Sequence, residues 1–176
     1  LNALRRIKSE AEIDKIRHAA RSASAAFARV PEILAPGMTE AASLKAFKIA
    51  GLQAGLDDVA YLVGGAGPGG YNDIIGPPSE RPLADGDVLI MDVGGMFDGY
   101  FCDFDRNFAV GHIADDTARA HEIVWQATEA GLAAARPGAT FAGPFRAREG
   151  ARCAGGAAGF ALGLRPKRSS SAMWCV

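Results

Sequence analysis

The segment Val88-Leu89-Ile90-Met91-Asp92-Val93 is the strongest constraint in this sequence. It is apolar on both faces of an extended chain except at Asp92, so it predicts a central, buried strand. Asp98-Gly99 marks a reversal, and Tyr100 to Val110 reads as the returning strand of a hairpin. A bare carboxylate is costly to bury, so Asp92 needs a cation, hydrogen-bond donors or a metal. In a hairpin with an even-numbered loop, paired residue numbers sum to an odd value. Asp92 and Asp103 meet that condition and share a face. A four-residue loop, Met96 to Gly99, sets them directly opposite, with Cβ atoms roughly 5 Å apart; a two-residue Asp98-Gly99 turn sets them diagonal, at roughly 7–8 Å. A bulge breaks this parity. Two like charges at such range repel unless a cation joins them. Carboxylate oxygens suit hard or borderline divalent ions such as Mn²⁺, Zn²⁺ or Co²⁺. Asp105 lies on the same face as a spare acid. Arg106 lies on the opposite face, and a purely structural reading has it and backbone amides satisfying the aspartates.

The rest of the chain supplies helices. Ser9-Glu10-Ala11-Glu12 has capping-box spacing. Ile13, Ile16, Ala20, Ala23, Phe27 and Val30 then form one apolar helical stripe. Thr39 caps a second helix from Glu40 to about Ala54, with Leu44, Phe47 and Leu52 inward and Gly55 as the residue just past its end. Val59 to Val63 reads as a strand. Gly64 to Pro78, rich in glycine and proline, reads as loop. Asp115 or Asp116 caps a third helix with the stripe His121, Trp125, Thr128, Leu132 and Ala135. The fold class is α+β, an antiparallel sheet covered by helices.

Leu34-Ala35-Pro36-Gly37-Met38-Thr39 and Ala135-Arg136-Pro137-Gly138-Ala139-Thr140 repeat one device, in which a helix ends at Pro-Gly and a threonine caps the next. The echo suggests a duplicated helix–helix–sheet unit. After Thr140 the pattern fails. Gly143, Pro144, Gly150, Gly155 and Gly156 interrupt the chain, and Gly150 to Val176 holds no acidic residue. Residues 142–176 are expected to be an irregular, disordered tail beyond a domain spanning 1–141.

Composition excludes some functions. A net charge of −1 gives no overall attraction to nucleic acid or to an anionic membrane. The longest weakly polar run, Ala154 to Leu164, is too short to span a bilayer. No secretory signal is visible at the start, although the chain begins at Leu1. Cys102, Cys153 and Cys175 form no CxxC pair, and reduced thiols in a cytoplasmic protein are the expectation. Gly64 to Gly70 lacks the register and the Lys-Ser/Thr of a phosphate loop and reads as a flexible substrate-side loop. Cys102 reads as a small buried hydrophobe, Phe104 and Trp125 as core, and Ser169 to Ser171 as solvated tail.

Asp92-Val93-Gly94 followed by Gly99-Tyr100-Phe101-Cys102-Asp103-Phe104-Asp105-Arg106 resembles the signature of the pita-bread metallopeptidases. That family includes methionine aminopeptidase, Xaa-Pro aminopeptidase, prolidase and creatinase. Its members carry D-x-G on one strand and G-Y-x-x-D-x-x-R on the next. Arg6 to Ile13 is similar to the segment entering the catalytic domain of the Xaa-Pro branch. Pro36-Gly37-Met38-Thr39-Glu40 and Arg136-Pro137-Gly138-Ala139-Thr140 match its two helix junctions. The resemblance covers roughly residues 4 to 141 and implies the N-terminal half of a fold built from two related halves.

It further implies a hydrolase with two divalent metal ions (Mn, Co or Zn) that cleaves an amide at a peptide N-terminus through a metal-activated water. Asp92 would be a bidentate ligand of one ion, and Asp103 would bridge both. The family's other three ligands, one His and two Glu, have no counterpart here. His121 sits on a helix, and Glu149 is in no recognisable motif. A substrate-facing His is also missing from Tyr71 to Leu83, where Tyr71, Asn72 or Asp73 are the polar alternatives. No catalytic or substrate-binding residue is therefore assigned. The expectation is a metal-dependent peptidase-type chain that is impaired or inactive alone. A rival reading makes it a non-catalytic half domain that self-associates, as a homodimer, through its sheet edge. A third attributes the sequence past Ala142 to a frameshift.

Overall fold

The structure, a computed structural model, describes residues 2–35, 37–68 and 76–155. Its elements are α1 (Asn2–Arg6), α2 (Glu10–Ala28), α3 (Val30–Ile33), α4 (Glu40–Gln53), β1 (Asp58–Pro68), β2 (Asp87–Phe97), β3 (Tyr100–Ala109), α5 (Asp115–Ala134) and α6 (Ala142–Ala154). Among the described residues no helix is long and apolar enough to cross a membrane. Tyr71, Asn72, Asp73, Cys175 and the serines at 169–171 lie outside the described residues, as does the tail beyond 155.

The three strands form an antiparallel sheet in the order β1-β2-β3, so the apolar strand is central, as its composition requires. Asp98 and Gly99 have φ of 46° and 76°, the left-handed pair that matches strand twist in a two-residue turn. Phe97 pairs with Tyr100, and the whole β2–β3 register follows from that turn. One sheet face carries Leu89, Met91, Val93, Cys102 and Phe104. These pack with Ala23, Phe27, Leu44 and Phe47 of α2 and α4 into the main core.

Local chemistry sets the helix ends. Ser9 accepts a hydrogen bond from the Glu12 amide, and Glu12 accepts one of 2.7 Å from the Ser9 amide, completing the capping box. Thr39 Oγ1 accepts from Ala42 N at 3.1 Å, and Gly55 has φ 105° just past α4. Glu40 is buried and accepts from Ala66 N, Ser79 N and Ser79 Oγ. Together these bonds tie the start of α4 to the sheet and to the approach to β2.

Several expectations need correction. Gly64 to Pro68 belongs to β1 and is not loop. Glycine is needed at 64 because a Cβ there would lie 2.1 Å from the Ile90 carbonyl oxygen. Leu52 is exposed, and Ala50 and Gly51 take the inward positions on α4. Ala114, not an aspartate, is the N-cap of α5. Of the stripe assigned to α5, Thr128 is buried, but His121, Trp125, Leu132 and Ala135 are exposed, and Ala120, Ile123 and Ala127 are buried instead. The reason is that α5 packs against α6, with Ile123 facing Gly155 and Gly131 facing Pro144 and Arg148. Residues 142–154, expected to be irregular, form that helix α6 despite their glycines. The echoed junctions share a positive φ at Gly37 (79°) and Gly138 (87°), yet Thr140 does not cap α6 through its side chain.

Candidate metal centre

The second face of the sheet carries the carboxylates. Asp92 pairs directly with Asp105, and Asp103 pairs with Gly94, so Asp92 and Asp103 are diagonal neighbours on one face. The turn is the two-residue one, and of the two separations considered the longer applies. The bulge in the sheet falls between Val59 and Tyr61 on β1, clear of this ladder. Asp103 is exposed, Asp92 half-buried and Asp105 buried.

Burial pushes the Asp92 carboxyl above its usual range, and the charge of Asp103 pushes it the same way. Among the described residues no lysine, arginine or histidine forms an ion pair with Asp92 or Asp103. Arg106 does not act as their counter-charge. It lies on the helix face, where it donates to the Asp105 carbonyl oxygen and its guanidinium stands 5.7 Å from the Phe27 ring and 5.3 Å from the Phe104 ring. Among the described residues Asp92 and Asp103 are thus a like-charged oxygen pair without a cationic side chain between them, a donor set that fits a hard divalent ion. It is a partial set. Among the described residues no group of three or more His, Cys, Asp or Glu is placed to hold a metal. His121 is exposed on α5, and Glu149 is engaged with Arg148 and Arg152 on α6.

Sequence reasoning missed Tyr61. Its register partner is Gly94, itself opposite Asp103, so the three residues form one row across the sheet. The Tyr61 hydroxyl donates to Asp103 Oδ1 at 2.5 Å. Partial burial and that bond raise the phenol above its ordinary range and keep it protonated. Its ring covers Gly94 so closely that a Cβ there would lie 2.2 Å from Tyr61 Cε1. The available signal was period-two placement of Tyr61 within β1, but the bulge after Val59 hid which face it joins. Cys102 does lie on the opposite face, buried among apolar groups as expected.

With this geometry in hand, the likeness to known proteins is direct. The sequence matches metallopeptidase family M24 over residues 14–155. It is 37% identical over 141 residues to a probable dipeptidase PepE of Mycobacterium tuberculosis, covering 80% of this chain and 37% of that protein. The crystal structure of dipeptidase PepE from Mycobacterium ulcerans superimposes with a TM-score of 0.82 at 33% identity, over 89% of this chain and 42% of that one. The X-Pro aminopeptidase of Thermotoga maritima gives a TM-score of 0.78 at 25% identity, over 88% of this chain and 44% of that one. The chain therefore spans less than half the length of these relatives, and its helices and antiparallel sheet are the N-terminal half of their pita-bread fold. On its sequence match and its fold, this chain belongs to metallopeptidase family M24.

Proposed function

We propose that this chain carries the aspartate half of a divalent-metal centre for hydrolysis of dipeptides or of N-terminal Xaa-Pro bonds. The observation that carries the reading is the diagonal Asp92–Asp103 pair on one sheet face, in a family of metallopeptidases. The substrate class is supported by the names of the relatives, a probable dipeptidase and an X-Pro aminopeptidase.

Asp92 and Asp103 would hold Mn²⁺, Co²⁺ or Zn²⁺, and the ions would supply Lewis acidity and an activated water. Asp92 contributes a carboxylate whose ionisation burial opposes, so ion binding and its deprotonation are linked. Asp103 contributes an exposed carboxylate with Oδ1 already engaged by Tyr61. Two oxygen donors hold a divalent ion weakly, and the chain alone is expected to turn over poorly or not at all.

The test is to purify the chain with Mn²⁺ or Co²⁺ and assay Xaa-Pro dipeptides and methionyl peptides. Background rates are expected, equal in Asp103→Ala. Turnover that Asp103→Ala abolishes would overturn the claim of inactivity while upholding the site.

A second reading, self-association, draws on the exposed aromatic side chains Phe141, Phe145 and Trp125 of the α5–α6 hairpin. Light scattering decides it, since a monomer across micromolar concentrations leaves this reading without support.

A further inference from the structure

We infer that Tyr61 is a positioning residue for Asp103, and that Gly94 is glycine so that the Tyr61 ring can reach across β2 to do so. The inference rests on the metal reading of Asp92 and Asp103. Asp103 is exposed, and an exposed aspartate side chain turns freely between rotamers. Here one carboxylate oxygen is held by a phenol anchored two strands away, on β1. The bond fixes the plane of the carboxylate and leaves Oδ2 for a ligand. A phenol hydroxyl adds a donor and no charge to a face that already holds two carboxylates.

The path crosses the central strand over Gly94. With that residue's would-be Cβ 2.2 Å from Cε1, 2.4 Å from Cδ1 and 2.9 Å from Cζ of Tyr61, any side chain there evicts the ring. Gly94 has no positive φ. The constraint on it is the space taken by Tyr61, not backbone conformation. Groups that orient a metal ligand typically alter affinity by about 10- to 100-fold when removed.

The experiment uses the full chain with ¹³C-labelled aspartate carboxyls, the Asp92 and Asp103 resonances being assigned with Asp92→Asn and Asp103→Asn. Mn²⁺ is the probe, and its paramagnetic broadening of those two resonances reads binding at the residues themselves. In Tyr61→Phe, the Asp103 resonance should move before metal is added, and about 10-fold more Mn²⁺ should be needed for equal broadening. Gly94→Ala should weaken Mn²⁺ binding comparably, and adding it to Tyr61→Ala should do no further harm, since the two act through one ring. Tyr100→Phe, which loses a bond to Glu12 away from the site, should match wild type. Equal Mn²⁺ requirements for wild type and Tyr61→Phe would overturn the role of Tyr61 and leave the metal reading standing. Tighter binding in Tyr61→Phe would mean that the phenol competes with the metal, which also overturns it. No broadening of either resonance in wild type would remove the metal reading, and this inference with it.

Discussion

Asp103 stands diagonally across the β2–β3 ladder from Asp92, with Asp105 directly opposite Asp92. The folded-state pKa of Asp92 is raised, first by burial and then by Asp103. Its contribution to stability is therefore favourable below the ordinary carboxyl pKa and is lost as pH rises through the folded value. Asp92→Asn should raise the melting temperature of the metal-free chain at pH 7 and narrow its gain near pH 3. Scanning calorimetry across that range checks both.

Metal binding should reverse the preference. A ligand at ten times its Kd stabilises the folded state by about 1.4 kcal/mol. Mn²⁺ at that level should raise the melting temperature of wild type and leave Asp92→Asn and Asp103→Asn where they were.

Arg81, partly exposed, and Asp87, buried, form an ion pair at the start of β2. Two nitrogens of Arg81 meet the two Asp87 oxygens at 2.7 and 2.9 Å, and the Asp87 side chain is fully buried. Removing Arg81 strands the buried Asp87 carboxylate, and Arg81→Ala should destabilise by about 3 kcal/mol in urea titration. The Arg81 bonds hold the Asp87 carboxyl below its usual range against an opposing burial effect. That stabilisation is present above the unfolded pKa of about 3.9 and is lost as pH falls through the folded value. The gap between wild type and Asp87→Asn should shrink on acidification.

Two glycines should respond differently to alanine. Gly64→Ala places a methyl 2.1 Å from the Ile90 carbonyl oxygen and must break β1–β2 pairing there, for about 3 kcal/mol. Gly99→Ala meets open space and suffers only the left-handed backbone penalty at φ 76°, about 1 kcal/mol. Parallel urea melts separate the two mechanisms.

Phe47 is fully buried, with its ring 4.5 Å from that of Phe27, where α2 and α4 meet the sheet. Phe47→Ala should cost about 4 kcal/mol through lost transfer energy and a cavity. Amide exchange should then quicken in β2 before α6, because α6 contributes no buried residue.

Much of this molecule was legible before any coordinates. The apolar run around Asp92 required a central strand, Asp98-Gly99 marked a reversal, and period two with an even loop put Asp92, Asp103 and Asp105 on one face; whether the loop had two or four residues was left to the structure. Ser9 and Thr39 marked helix starts by the local hydrogen bonds they accept. Such features depend on residues a few positions apart, so sequence alone determines them. Tertiary structure decided the rest. Tyr61 joins Asp103 only because β1 pairs beyond a bulge, and Gly64 is strand only because Ile90 lies against it. Trp125 and Leu132 are exposed because α5 meets α6. In each case the deciding neighbour is distant in sequence, and period and propensity carry no record of which surface arrives to cover a face.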